Sequence, residues 1–210
     1  KYPNQDTALA RKAAGKWIKY SIQEYVETTN NISYALMKLG ITKDDKVGII
    51  CGNRPEWNML DMAIMQIGAV TVPIYPTINK EDYNYIINDC KVKLIVLEGT
   101  GVLQKIESVK GSCPSLEMVY ALGTKCDYPS FEELVEIGKS NPNPEELKTI
   151  KDSIDEKNCA TIIYTSGTTG NPKGVMLSHY NIMSQLHNRK QTPSPWSKKA
   201  FSFLPICHAY

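Results

Sequence analysis

Three short runs, KVGIIC (46–51), AVTVPIY (69–75) and VKLIVLE (92–98), are apolar and rich in valine and isoleucine, and a segment of helical character follows each. No other feature limits the fold as much. A strand that is apolar on both faces needs cover on both faces, and a parallel sheet with helices above and below it supplies that cover. After 46–51, NRPEW places Pro55 in a first helical turn, and the helix runs to about Gly68. NKEDYNYIINDC (79–90) brings Tyr83, Ile86 and Ile87 to one side of a helix, and GVLQKIESVKG (101–111) is a further helix. LEMVYAL (116–122) reads as a strand and FEELVEIGK (131–139) as a helix. The expected fold class is α/β, with a mostly parallel sheet flanked by helices.

Upstream, ALARKAAGKWIKYS (8–21) has enough Lys and Arg to suggest a basic membrane-surface helix, but Gly15 and the alternation from Trp17 to Tyr20 fit a β-hairpin better. Ser21 and Glu24 then form the S-x-x-E capping box of a helix. Ile22, Tyr25, Val26, Thr29, Ser33, Leu36 and Leu39 are expected on its inner face, and Gly40 is placed to stop it. A polar stretch with two prolines, 141–158, is expected to be a connection carrying a short helix. It divides a β/α subdomain (1–140) from a later segment (159–210). That segment reads as a strand CATIIY (159–164), a loop, a strand GVMLS (174–178), a helix from His179 to Lys190 and a last strand AFSFLP (200–205). No internal repeat is visible.

Hydrophobic residues make up 42% of the chain and charged residues 22%, so it is a folding sequence. A net charge of +2 gives no electrostatic case for nucleic acid. Six scattered cysteines form no C-x-x-C pair and no zinc spacing, so a reducing, cytoplasmic setting is expected. The most apolar stretch, 59–75, is broken by Asp61, Gln66, Pro73 and a glycine, so no membrane span is expected. Peripheral membrane contact stays open.

The loop TSGTTGNPKG (165–174) carries the chemistry. Thr165, Ser166, Thr168 and Thr169 bring hydroxyls, Gly167, Gly170 and Gly174 let the backbone approach a ligand, and Lys173 brings a full positive charge. Exposed N–H groups in such a turn make an anion-binding concavity. These are the parts of a polyphosphate cradle. It is not a Walker loop, because Lys173 is followed by Gly174 and the chain enters a strand rather than a helix.

YTSGTTGNPKGVMLSH (164–179) resembles the signature loop of the adenylate-forming superfamily of acyl-CoA synthetases, luciferases and adenylation domains. FLPICHAY (203–210) resembles the superfamily's L-P-x-x-H motif, and NRPEW and VPIYPT resemble its long-chain fatty acyl-CoA branch. The resemblance implies the front portion of the large N-terminal domain and a two-step reaction. A fatty acid and ATP give acyl-AMP and pyrophosphate, and coenzyme A then takes the acyl group. It also implies that Thr165, Ser166, Gly167, Thr168, Thr169, Gly170 and Lys173 surround the ATP phosphates. Thr165 would reach Mg²⁺, and His208 would position the carboxylate or adenylate. His179 is expected to pack or cap. Arg54 and Glu56 are expected to fix a turn, with Trp57 beneath it.

The superfamily's Y-G-x-T-E and T-G-D motifs and its late lysine do not occur in these 210 residues. The expectation is therefore a long-chain fatty acid–CoA ligase whose present stretch is inactive alone and needs the missing C-terminal part of its own chain. An acyl-AMP ligase, a synthetase for another acid, and a non-catalytic nucleotide-binding module remain alternatives.

Overall fold

The computed structural model describes residues 7–165, 170–190, 201–202 and 204–207. A two-stranded hairpin leads the chain, with β1 (Leu9–Ala13) antiparallel to β2 (Lys16–Tyr20), as the alternation around Gly15 requires. Helix α1 (Ile22–Lys38) follows. The Ser21 Oγ accepts from the Glu24 N–H at 3.1 Å, and the Ser21 N–H donates to the Glu24 carboxylate at 2.7 Å. Both halves of the capping box are thus formed.

The main sheet has six strands in the order β6-β5-β3-β4-β7-β8. They are β3 (Lys46–Ile50), β4 (Val70–Pro73), β5 (Val92–Leu97), β6 (Met118–Ala121), β7 (Cys159–Thr165) and β8 (Lys173–Ser178). All pairings are parallel except β7 with β8. The helices between them are α2 (Pro55–Gln66), α3 (Lys80–Asp89), α4 (Thr100–Lys110), α5 (Phe131–Ser140) and α6 (Pro144–Ser153), with α7 (His179–Lys190) after β8. The short helix expected within 141–158 is α6.

Side-chain alternation along the strands divides the core in two. Val47, Ile49, Leu94 and Val96 face α1, α2, α5 and α6. Val70, Val72, Ile95 and Leu97 face α3 and α4. Tyr83, Ile86 and Ile87 are buried in this second layer, as their spacing predicts. Helices on both faces explain why the strands read as continuous apolar runs.

Two expectations are corrected. Val26 is 48% exposed, whereas Ile32 and Ala35, outside the expected inner face of α1, are fully buried. The cause is that α1 packs against two helices at once. The Ser33 hydroxyl donates to the Ala63 carbonyl of α2 at 3.1 Å, and Gly138 of α5 lies directly against the Asn31 carbonyl. Its buried arc is therefore wider and turned. Secondly, Phe201, Ser202, Leu204 and Pro205 of the expected last strand are not in a strand. Pro205 has no N–H to give a ladder, and the neighbouring main-chain groups bond to a side chain instead.

Candidate functional site

Because β3 to β7 are mutually parallel, their carboxyl ends share one edge of the sheet. In such sheets ligands bind beyond that edge, where successive connections diverge to opposite sides. Here the chain goes from β3 to β4 on one flank and then to β5 on the other, so the divergence falls at β3 and β5.

The hydroxyl- and glycine-rich loop leaves the same edge from β7. Its base is well formed. Thr165, the last residue of β7, stands opposite Lys173, the first of β8, and both are exposed. Lys173 makes no ion pair among the described residues. Gly170 has φ +108°, in the region that favours glycine, and a Cβ there would meet nothing within 4 Å. Gly174 is glycine for another reason. A Cβ there would lie 2.9 Å from Ile162 and 3.1 Å from Tyr164, so the room expected for a ligand at this glycine is used by side chains of β7. The Tyr164 hydroxyl donates to Asp89 at the end of α3 at 2.5 Å, tying the strand below the loop to the helical layer. Ser166, Gly167, Thr168 and Thr169 lie outside the described residues, as does His208. The chain enters β8 before α7, which is not the layout of a Walker loop.

A charged cluster occupies the divergence point. The Arg54 guanidinium donates from Nε and Nη2 to the two Glu56 oxygens at 3.0 and 3.1 Å, and from Nη1 to Glu98 at 2.7 Å. Glu98, just past β5, also accepts the Gly52 N–H at 3.2 Å. The Tyr20 hydroxyl donates to Glu56 at 3.1 Å, and Arg11 approaches it at 3.6 Å, so the hairpin is fastened to the start of α2. Desolvation pulls the Glu56 carboxyl up, but the Arg54 hydrogen bonds, with smaller contributions including Arg11, outweigh it and leave it below its ordinary range. Trp57 is buried in the first core layer beneath. The turn-fixing role expected for NRPEW is what these contacts show.

Asn53, between Gly52 and Arg54, points its amide at the later segment. Its Nδ2 donates to the Leu204 carbonyl at 2.7 Å, and its Oδ1 accepts the Ile206 N–H at 3.0 Å. The sequence carries no role for Asn53 beyond membership of NRPEW. Its position directly after a strand at the divergence point is the signal that was available.

A cavity of about 330 Å³ lies between α2 and α7, with Trp57, Asp61, Ile163, Leu186, Ile206 and Cys207 in its wall. Burial raises the Asp61 carboxyl to about 6, against a lowering contribution from the Thr71 hydroxyl. Burial also raises the Cys51 thiol far above its ordinary value, so it is no nucleophile at neutral pH. Among the described residues the His179 ring makes no capping hydrogen bond. Its Nε2 is buried with no partner among the described residues, and burial lowers its pKa, which fits packing.

For an anion, the exposed Thr165 and Lys173 and the open Gly170 are a fitting set. For Mg²⁺ the fit is partial. Thr165 offers one neutral oxygen, and no group of three His, Cys, Asp or Glu side chains comes together among the described residues. Among the described residues, a Mg²⁺ bound beside substrate phosphates would find Thr165 as its one contact at the loop base.

Architecture and loop together define the N-terminal domain of an adenylate-forming enzyme. A putative long-chain-fatty-acid CoA ligase from Rhodopseudomonas palustris superposes with a TM-score of 0.73 at 20% identity, over 91% of this chain and 46% of that one. The anthranilate CoA ligase AuaEII, solved with anthranoyl-AMP, gives 0.67 at 25% identity, over 80% and 32%. The AMP-binding enzyme family matches residues 1–210, and the chain belongs to that family. Fatty acyl-CoA synthetase A of Dictyostelium discoideum is 32% identical over 93% of this chain and 30% of its own length. Long-chain-fatty-acid–CoA ligase ACSBG2 of Xenopus laevis is 37% identical over 96% and 28%. The chain thus spans less than a third of these relatives.

Proposed function

We propose that the protein carrying this chain is a long-chain fatty acid–CoA ligase. It joins a fatty acid to ATP to form acyl-AMP and pyrophosphate, then passes the acyl group to coenzyme A. The observation that carries this reading is the loop base, where Thr165 and Lys173 face each other at the sheet's carboxyl edge. Similarity to long-chain ligases over more than nine-tenths of the chain supports the choice of acid.

The chemistry suits the site. A carboxylate is a poor acylating agent, and adenylation gives it a leaving group. Negative charge grows on the departing pyrophosphate, and fixed donors aimed there lower the barrier. Thr165, Ser166, Gly167, Thr168, Thr169, Gly170 and Lys173 are the donors in this reading. Mg²⁺ would supply further charge neutralisation, with Thr165 as its contact on this chain. His208 positions the carboxylate or adenylate. The reading takes 1–140 as the β/α subdomain, 141–158 as the connection and 159–210 as the segment bearing the loop. A cytoplasmic location belongs to the same reading, supported by six unpaired cysteines. No helix among the described residues is long and apolar enough to cross a membrane.

The test is the full-length protein with palmitate, ATP, Mg²⁺ and coenzyme A. Palmitoyl-CoA, AMP and pyrophosphate should appear in equal amounts. Pyrophosphate with palmitoyl-AMP and no thioester would identify an acyl-AMP ligase instead. ATP binding with no acid-dependent pyrophosphate would leave a nucleotide-binding module. The 210 residues alone, lacking Y-G-x-T-E and T-G-D, should not turn over in the same assay.

A further inference from the structure

We infer that Asn53 is a positioning residue for the acyl-activation site, holding the segment that leads into His208. A primary amide offers one donor and one acceptor side by side, as a residue's own main chain does. In a parallel ladder, one residue donates to the carbonyl before its neighbour and accepts from the N–H after it. Asn53 does this around Pro205, donating to the Leu204 carbonyl and accepting from the Ile206 N–H. Its side chain thus acts as a one-residue strand beside Pro205, whose own N–H position faces the other way, so the proline does not interrupt the pairing.

The clamp has a firm footing. On one side of Asn53 the Gly52 N–H is held by Glu98, and on the other the Arg54 guanidinium is held by Glu56 and Glu98. The backbone at 53 is therefore pinned from both directions, and the amide transmits that fixity across 151 residues of sequence to Leu204. Beyond the clamp, Ile206 packs against the first core layer and Cys207 is buried, so the segment is seated by the amide on one side and by apolar contact on the other. His208 is the next residue in sequence. Small errors in the placement of a group that orients a reacting atom are costly in rate. Loss of the clamp acts on the acid, not on ATP as such.

This inference rests on the role proposed for His208, and the test separates the two. In the full-length protein, Asn53→Ala should lower kcat/KM for palmitate by about tenfold or more while leaving the KM for ATP nearly unchanged. Hydrogen exchange at the Ile206 amide should quicken. The double variant Asn53→Ala, His208→Ala should be no slower than His208→Ala alone, because both act on one unit. Unchanged kcat/KM for palmitate, an unaltered Ile206 amide, or losses that multiply in the double variant would each overturn the inference. If His208→Ala alone leaves acid-dependent pyrophosphate exchange intact, the His208 role fails. Asn53 is then decided by the palmitate kcat/KM and the Ile206 amide alone. Asn53→Asp keeps the acceptor for Ile206 but sets an oxygen against the Leu204 carbonyl. It should retain Ile206 protection yet lose rate, and it decides the matter if the alanine variant does not fold.

Discussion

Lys173 opens β8, exposed and across from Thr165, with no carboxylate paired to it among the described residues. A cation so placed is available to a ligand. In the full-length protein Lys173→Ala should reduce acid-dependent ATP–pyrophosphate exchange by roughly a hundred- to a thousandfold, the range for removing one donor from developing charge. Exchange at the original rate would remove Lys173 from the phosphate site. Asp61 poses a different problem, a half-buried residue whose carboxyl lies in the wall of the cavity between α2 and α7. Its folded value of about 6 lies above its ordinary 3.8. A raised folded value means a contribution that is whole below the ordinary value and is lost as pH rises through about 6. At neutral pH the buried charge therefore works against the fold. Asp61→Asn should stabilise the protein there by on the order of 2 kcal/mol, and the gain should fade on acidification below about pH 4. Urea titrations of both proteins across that range would check the amount and its direction.

Among the elements, the crossing of α1 and α5 is the least forgiving. A Cβ on Gly138 would fall 1.7 Å from the Asn31 carbonyl oxygen, which is backbone and cannot swing aside. Gly138→Ala must part the two helices, and a loss of about 3 kcal/mol in unfolding free energy is expected, measurable by denaturant titration. This contact also shows where reading from sequence stops. The capping box of α1, the apolar runs of β3 and β5, and the strand-loop-strand order from β7 to β8 are local patterns, and each is legible from its own residues, although the two strands reach one residue further into the loop, to Thr165 and Lys173. The inner face of α1 was only half legible, because a helix gripped by two neighbours buries an arc that its own periodicity does not specify. Likewise, Leu204 and Pro205 look like a strand in isolation. Their partner is the side chain of Asn53, and no local pattern announces a bond across 151 residues. At the loop, the sequence names hydroxyls and glycines but does not separate Gly170, which stands open, from Gly174, which is filled by β7.

For the molecule as a whole, the strand order sets the terms. Connections that diverge at β3 and β5 leave a crevice, and the loop after β7 and the clamp at Asn53 reach the same edge of the sheet. Residues from three distant stretches are therefore brought to one side by topology alone, before any side-chain detail is considered. The same order has a consequence in time. β4 lies between β3 and β7, and the Thr161 hydroxyl that bonds to the Thr71 carbonyl belongs to a residue 90 positions later. A ribosome adding roughly 5–20 residues per second leaves that flank of β4 without its neighbour for about 5 to 20 seconds. An unpaired strand is then a template for other nascent chains on the same polysome. β4 is only four residues long and closes on Pro73, which has no N–H to offer. Its brevity and its proline limit how much a neighbouring chain can bind while synthesis catches up.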